Sequence, residues 1–138
     1  MTDIVVSVIV VTYNHEKYIR QALDSILMQK VDFEYEVLVG DDCSTDSTSQ
    51  ILLEYKRKYS SKICVRLRHK NIGASKNVYE LLKNSCGKFI AFCEGDDFWI
   101  DANKLQKQVR YLMQHKVAIG CTHECRIVNQ VGQEIDYR

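Results

Sequence analysis

Carboxylates, amides and hydroxyls gather in four short clusters along this chain, each placed directly behind an apolar run. The run 5–11 ends in Thr12-Tyr13-Asn14, and the run 35–40 ends in Asp41-Asp42-Cys43-Ser44-Thr45-Asp46. The run 63–67 leads to Asn71-Ile72-Gly73, and 88–93 ends in Glu94-Gly95-Asp96-Asp97. This last cluster has the chemistry of a metal site. Adjacent carboxylates facing one crevice repel, which raises a pKa unless a cation sits between them. A few hard oxygen ligands suit Mg2+ or Mn2+, which completes its shell with water and substrate phosphates. Gly95 lets a ligand come close to the backbone. A solvated acidic turn is the plainer alternative.

The other clusters suit organic groups. Tyr13 can stack on a base, while Thr12 and Asn14 can bond its edge or a ribose; Asn14 equally suits a turn and helix cap. An ionised carboxylate only accepts hydrogen bonds, so Asp42 fits an imide N–H or ribose hydroxyls. An Asx-turn or capping cluster with Ser44, Thr45 and Asp46 is its alternative, and Asp46 itself reads mainly as a cap. Lys76 offers a point charge to a phosphate, or is simply solvated surface. No G-x-G-x-x-G or G-x-x-x-x-G-K-[ST] follows the first run, which argues against dinucleotide and P-loop cradles.

These clusters must be positioned by regular elements. The continuous Ile/Val run 3–11 predicts a strand buried on both faces. Helical spacing of Ile19, Ala22, Leu23, Ile26 and Leu27 predicts a helix over 16–28. Strands follow at 35–39, 63–67 and 88–93, with helices after Asp46 or Ser47, over 75–84, and from Asp101 to His115. Gly87 reads as a left-handed helix stop. Residues 117–129 read as a long strand, with a turn at Val131-Gly132 into a short strand over 134–137. The alternation implies an α/β fold, a mostly parallel sheet with helices on both faces. Such sheets bind ligands beyond the carboxyl ends of their strands, so four clusters there describe one site.

Composition sets the outer bounds. With 138 residues, 46% hydrophobic and 27% charged, the chain reads as one globular domain. A net charge of +1 gives no bulk attraction to nucleic acid or membrane. No apolar stretch approaches the roughly 20 residues of a membrane span, and no leader is visible, so the cytosol is the expected address. The six cysteines lie mostly in or beside predicted strands and read as reduced core thiols. The histidines are scattered, and none pairs at metal-ligand spacing.

Four stretches together resemble the family 2 glycosyltransferases, which have the GT-A fold. They are Val6-Ser7-Val8-Ile9-Val10-Val11-Thr12-Tyr13-Asn14, Val39-Gly40-Asp41-Asp42-Cys43-Ser44-Thr45-Asp46-Ser47-Thr48, Asn71-Ile72-Gly73-Ala74-Ser75-Lys76-Asn77 and Cys93-Glu94-Gly95-Asp96-Asp97-Phe98-Trp99. The resemblance implies a UDP-sugar donor bound with Mn2+ or Mg2+, and inverting transfer to an acceptor hydroxyl on a glycan, glycoprotein or lipid-linked molecule. By position Thr12, Tyr13 and Asn14 would hold the uridine, and Asp42 the uracil or ribose. Asp96 and Asp97 match the metal and diphosphate carboxylates, with Glu94 where the first acid of a D-x-D motif lies. Lys76 stands where arginine is frequent, keeping the charge without the bidentate fork. Val11 and Ala102 replace frequent prolines. The family's catalytic base and acceptor half normally lie beyond this length, so the chain corresponds to the donor-binding portion. Its catalytic residue is unassigned. A non-catalytic nucleotide-sugar-binding module shares every feature of that donor site. An incomplete apolar edge predicts a homo-oligomer.

Overall fold

The computed structural model describes residues 3–135. The chain runs β1 (Ile4–Thr12), α1 (Ile19–Leu27), β2 (Glu34–Asp41), α2 (Thr48–Lys58), β3 (Ile63–Leu67), α3 (Ala74–Leu82), β4 (Phe89–Phe92) and α4 (Lys104–Gln114). The strands form one sheet in the order β3-β2-β1-β4, and every pairing is parallel. The described residues fall into two compact units, divided between Lys107 and Gln108. The sheet belongs to the first.

Strand periodicity assigns the two faces. Register pairs Val6 with Tyr35, Val8 with Val37 and Val10 with Val39, and continues to Ile63 and Val65 on β3. Val8, Val10, Val37 and Val39 are fully buried. Each such side chain stabilises the fold by about 1.5–3 kcal/mol relative to exposure. Helix α1 lies on this face, where the Tyr35 hydroxyl donates to the Ile26 carbonyl at 3.0 Å. On the opposite face Ile9 and Leu38 pack with Leu81 of α3. Helices therefore cover both faces, as the alternation of elements requires.

That second face also explains a glycine. Gly87 is absent from the positive-φ residues, so it is not the left-handed stop its position suggested. Any Cβ there would collide with the Ser7 backbone nitrogen, so glycine allows β1 to come close. Its N–H donates to Ser7 Oγ at 2.8 Å, and Ser7 Oγ donates to Glu36 Oε1 at 2.6 Å.

Two further expectations change. Of the six free thiols only Cys93 is buried; Cys64 and Cys86 are exposed. Cys64 lies on the outermost strand β3, whose alternate residues face outward. In the second unit, residues 117–129 do not form a long strand. A single antiparallel bridge joins Val128 to Glu134, around a turn in which Gly132 has φ 79°. The turn at Val131-Gly132 stands, closed by Gly132 N–H to the Asn129 carbonyl. Its strands have no sheet to join among the described residues, and Val117 and Ile119 are exposed. The expected strand at 134–137 extends outside the described residues.

Candidate functional site

Parallel pairing brings all four clusters to one edge of the sheet, and backbone hydrogen bonds run from loop to loop. Asp42 N–H donates to the Thr12 carbonyl at 2.9 Å, and Arg68 N–H to the Asp41 carbonyl at 2.9 Å. Gly95 N–H donates to the Val11 carbonyl at 2.9 Å. The crevice wall is therefore continuous from β3 to β4.

The loops after β1 and β2 are stitched together. Asn14 and Cys43 both adopt left-handed conformations, with φ 56° and 67°. Asparagine tolerates this region better than most residues. Asn14 Oδ1 accepts from the Thr45 N–H at 2.8 Å, and the Asn14 N–H donates to Ser44 Oγ at 2.9 Å. His15 N–H donates to Thr48 Oγ1 at 2.9 Å. Glu16 and the head of α2 bond reciprocally: Glu16 N–H to Asp46 Oδ2 at 3.1 Å, and Ser47 N–H to Glu16 Oε2 at 2.9 Å. Asp46 Oδ1 also accepts from Thr48 N–H at 2.9 Å, an Asx-turn one residue ahead of the helix cap Ser47. Those bonds hold its carboxyl below the ordinary value against the opposing effect of burial.

The two aspartates after β2 are buried and occupied. Asp41 accepts from the hydroxyls of Ser44 and Ser49. Asp42 reaches the loop ahead of α3, where Oδ1 accepts from Ile72 N–H at 2.8 Å and Oδ2 from Gly73 N–H at 2.9 Å. A carboxylate has about four lone-pair sites, so Asp42 keeps acceptor capacity for a ligand. Lys76 sits exposed in the first turn of α3, and Tyr13 is 44% exposed at the crevice mouth.

The acidic loop after β4 differs. Glu94, Asp96 and Asp97 are exposed. Desolvation first, and then Asp96, pushes the Asp97 pKa above its ordinary value, while His15 pulls it down. His15 Nε2 lies 3.8 Å from Asp96 Oδ2. Beneath the loop Gly95 is buried, and a Cβ there would lie 2.7 Å from Thr12 Oγ1 and 2.8 Å from His15 Nδ1. Both of those atoms are buried without a hydrogen-bond partner.

Sequence reasoning missed three residues here: His15 beside the acidic loop, Asn77 on the buried side of α3, and Arg68 bonded to it. Only Asn77 left a signal, four residues before the core Leu81 and hence on the same helical face. No group of three or more His, Cys, Asp or Glu side chains stands together as a metal cage among the described residues. The donor set still fits a hard divalent ion, because such ions take one or two carboxylates and fill their shell with phosphate and water. The repelling pair Asp96 and Asp97 has that character.

Comparison with known proteins places these features in a family. The Glycosyl transferase family 2 model matches residues 7–133. A Mycobacterium tuberculosis protein, Rv1520, is 41% identical over 126 residues, covering 91% of this chain and 36% of that protein. The crystal structure of Staphylococcus aureus TarS 1-349 in complex with UDP superposes with a TM-score of 0.72 at 38% identity, covering 82% of this chain and 33% of that one. A Pyrobaculum calidifontis mannosyltransferase in complex with GDP-Man and Mn2+ gives a TM-score of 0.70 at 26% identity, covering 78% of this chain and 32% of that one. The chain thus spans about a third of the length of these matches.

Proposed function

Since the chain belongs to the family 2 glycosyltransferases, we propose that its crevice binds the UDP-sugar donor of an inverting, metal-dependent transfer to an acceptor hydroxyl. The observation that carries this reading is the pairing of an acidic loop whose carboxylates repel with a pre-bonded polar wall at one sheet edge. Tyr13 stacks on the base, and Thr12 and Asn14 contact the uridine. The remaining lone pairs of Asp42 accept from the uracil imide or the ribose. Lys76 faces the diphosphate as a point charge. Asp96 and Asp97 hold Mn2+ or Mg2+, with Glu94 beside them; when bound, the ion supplies positive charge to the leaving diphosphate. The acceptor is a glycan, glycoprotein or lipid-linked hydroxyl, and its deprotonation falls to a base outside the residues assigned here.

No helix among the described residues is long and apolar enough to cross a membrane, and the proposed setting is cytoplasmic. Exposed Ile90 and Phe92 on β4 support a homo-oligomer; a monomer in light scattering at high concentration contradicts it. A non-catalytic donor-binding module is the second reading, since it needs the same donor-site residues and no assigned base. Incubation with UDP-sugars, following both retention of the intact donor and release of UDP, separates the two. Retention with release supports an enzyme, retention alone supports the module, and neither contradicts the donor site.

A further inference from the structure

Beneath the donor wall, two groups from two other segments converge on one side chain. Asn77, in the first turn of α3, is completely buried. Its Nδ2 donates to the Gly40 carbonyl on β2 at 2.8 Å. Its Oδ1 accepts from Arg68, beyond β3, through Nε at 3.2 Å and an Nη at 3.2 Å. An amide has one donor end and one acceptor end. The guanidinium can only donate, so it claims Oδ1 and thereby turns Nδ2 toward the carbonyl. Arg68 has no carboxylate partner among the described residues, so its side chain serves the amide and not an ion pair.

Gly40 records the same contact from the other side. Glycine inside a strand is unfavourable and marks close approach of another group. Here a Cβ would collide with Asn77 Oδ1. The tie also reaches the ligand wall through one residue. Gly73 has its N–H held by Asp42 Oδ2 at 2.9 Å, and its carbonyl accepts from Asn77 N–H at 3.0 Å. With φ 84° it adopts a conformation that other residues rarely reach. Asp42 therefore grips one side of Gly73 and the main-chain N–H of Asn77 the other, while the Asn77 side chain anchors that helical turn to β2, with Lys76 directly before it in the chain.

We propose that Asn77, oriented by Arg68 and admitted by Gly40, is a positioning residue that fixes the head of α3 so that Asp42 and Lys76 face one ligand. Its consequence for UDP binding rests on the donor-site reading; its consequence for the Asp42 grip does not. Asn77 touches no ligand in this account. It acts through Gly73 and the first helical turn.

The test uses the whole chain in five forms: wild type, Asn77→Ala, Asn77→Asp, Lys76→Ala and the double variant Lys76→Ala with Asn77→Ala. Amide hydrogen exchange reads the grip directly. In Asn77→Ala, exchange at Ile72 and Gly73 rises about tenfold or more, the factor expected for losing one net hydrogen bond, while amides of β1 and β2 keep their wild-type protection. Asn77→Asp keeps the acceptor for Arg68 and loses the donor to Gly40, and it gives the same local loosening. Titration with UDP and Mn2+ then reads the site: affinity falls about tenfold in Asn77→Ala, and falls no further when Lys76→Ala is already present. Unchanged exchange at Ile72 and Gly73 overturns the proposal. So does a rise shared equally by the β1 and β2 amides, because that is general destabilisation. Additive losses of affinity overturn the route through Lys76. If wild type binds no UDP, the donor-site reading falls, and the exchange measurement still decides whether Asn77 holds the grip.

Discussion

Asp42 and Asp97 stand in the loops after β2 and β4, the two strands that flank β1, and their surroundings are opposite. Asp42 is 4% exposed, and both its oxygens accept from backbone N–H groups. Asp97 is exposed, and its pKa is raised by desolvation and by Asp96. One wall of the crevice is thus completed by the chain itself. The other is left with charge that a ligand can complete. Satisfied buried polar groups give shape, whereas exposed carboxylates that repel one another stay open to solvent and to a cation. Here the two kinds lie on either side of the central strand.

Removing the carboxylate of Asp42 and that of Asp97 should therefore shift stability in opposite directions. The largest effect belongs to Asp42→Ala, which orphans the N–H groups of Ile72 and Gly73. It is expected to destabilise the fold by about 2–3 kcal/mol, seen as a lower denaturant midpoint. Gly95→Ala comes next, because its methyl would press on Thr12 and His15. Overpacking of this kind costs about 1–3 kcal/mol, and the acidic loop should shift with it, so UDP affinity falls as well. Asn14→Ala removes the acceptor for Thr45 N–H and puts a non-glycine residue at φ 56°. A loss of about 1 kcal/mol is expected in the same denaturation assay.

Asp97→Asn should have the smallest effect and the opposite sign. Its pKa is raised in the folded protein above the ordinary 3.8, so the folded form binds the proton more tightly than the unfolded form. Stability from this group is highest below the ordinary carboxylate pKa, declines as pH climbs through the raised value, and is level above it. The amide cannot ionise and should remove that decline, leaving the variant slightly more stable than wild type at neutral pH. Equal or lower stability of Asp97→Asn at pH 7 would erase the contrast between the walls.

Much of this arrangement was legible in the sequence because it follows from periodicity. The buried Ile/Val run of β1 and the helical spacing in α1 need no partner to be recognised. The place of the acidic loop was equally legible, since it directly follows the apolar run 88–93. What stayed hidden depends on contacts distant in sequence. That Asp42 spends its oxygens on Ile72 and Gly73, 30 and 31 residues away, cannot be read from its neighbours. Asn14 shows the same limit: its amide joins two loops, and only the folded chain brings Thr45 to it. Gly87 misled because a glycine after a helix commonly serves as a stop, whereas here it admits a neighbouring strand. Residues 117–129 carry strand-forming side chains, but strand formation needs a pairing edge, and their composition says nothing about one.

The central claim is that the exposed acidic loop and the pre-bonded wall form one nucleotide site, completed by a divalent ion. Calorimetric titration of UDP into the chain tests it most directly, first with Mn2+, then with chelator, and in parallel for Asp97→Ala. The account predicts binding that requires the metal and is lost in Asp97→Ala while that variant remains folded. Binding of equal strength with chelator, or in folded Asp97→Ala, would contradict it.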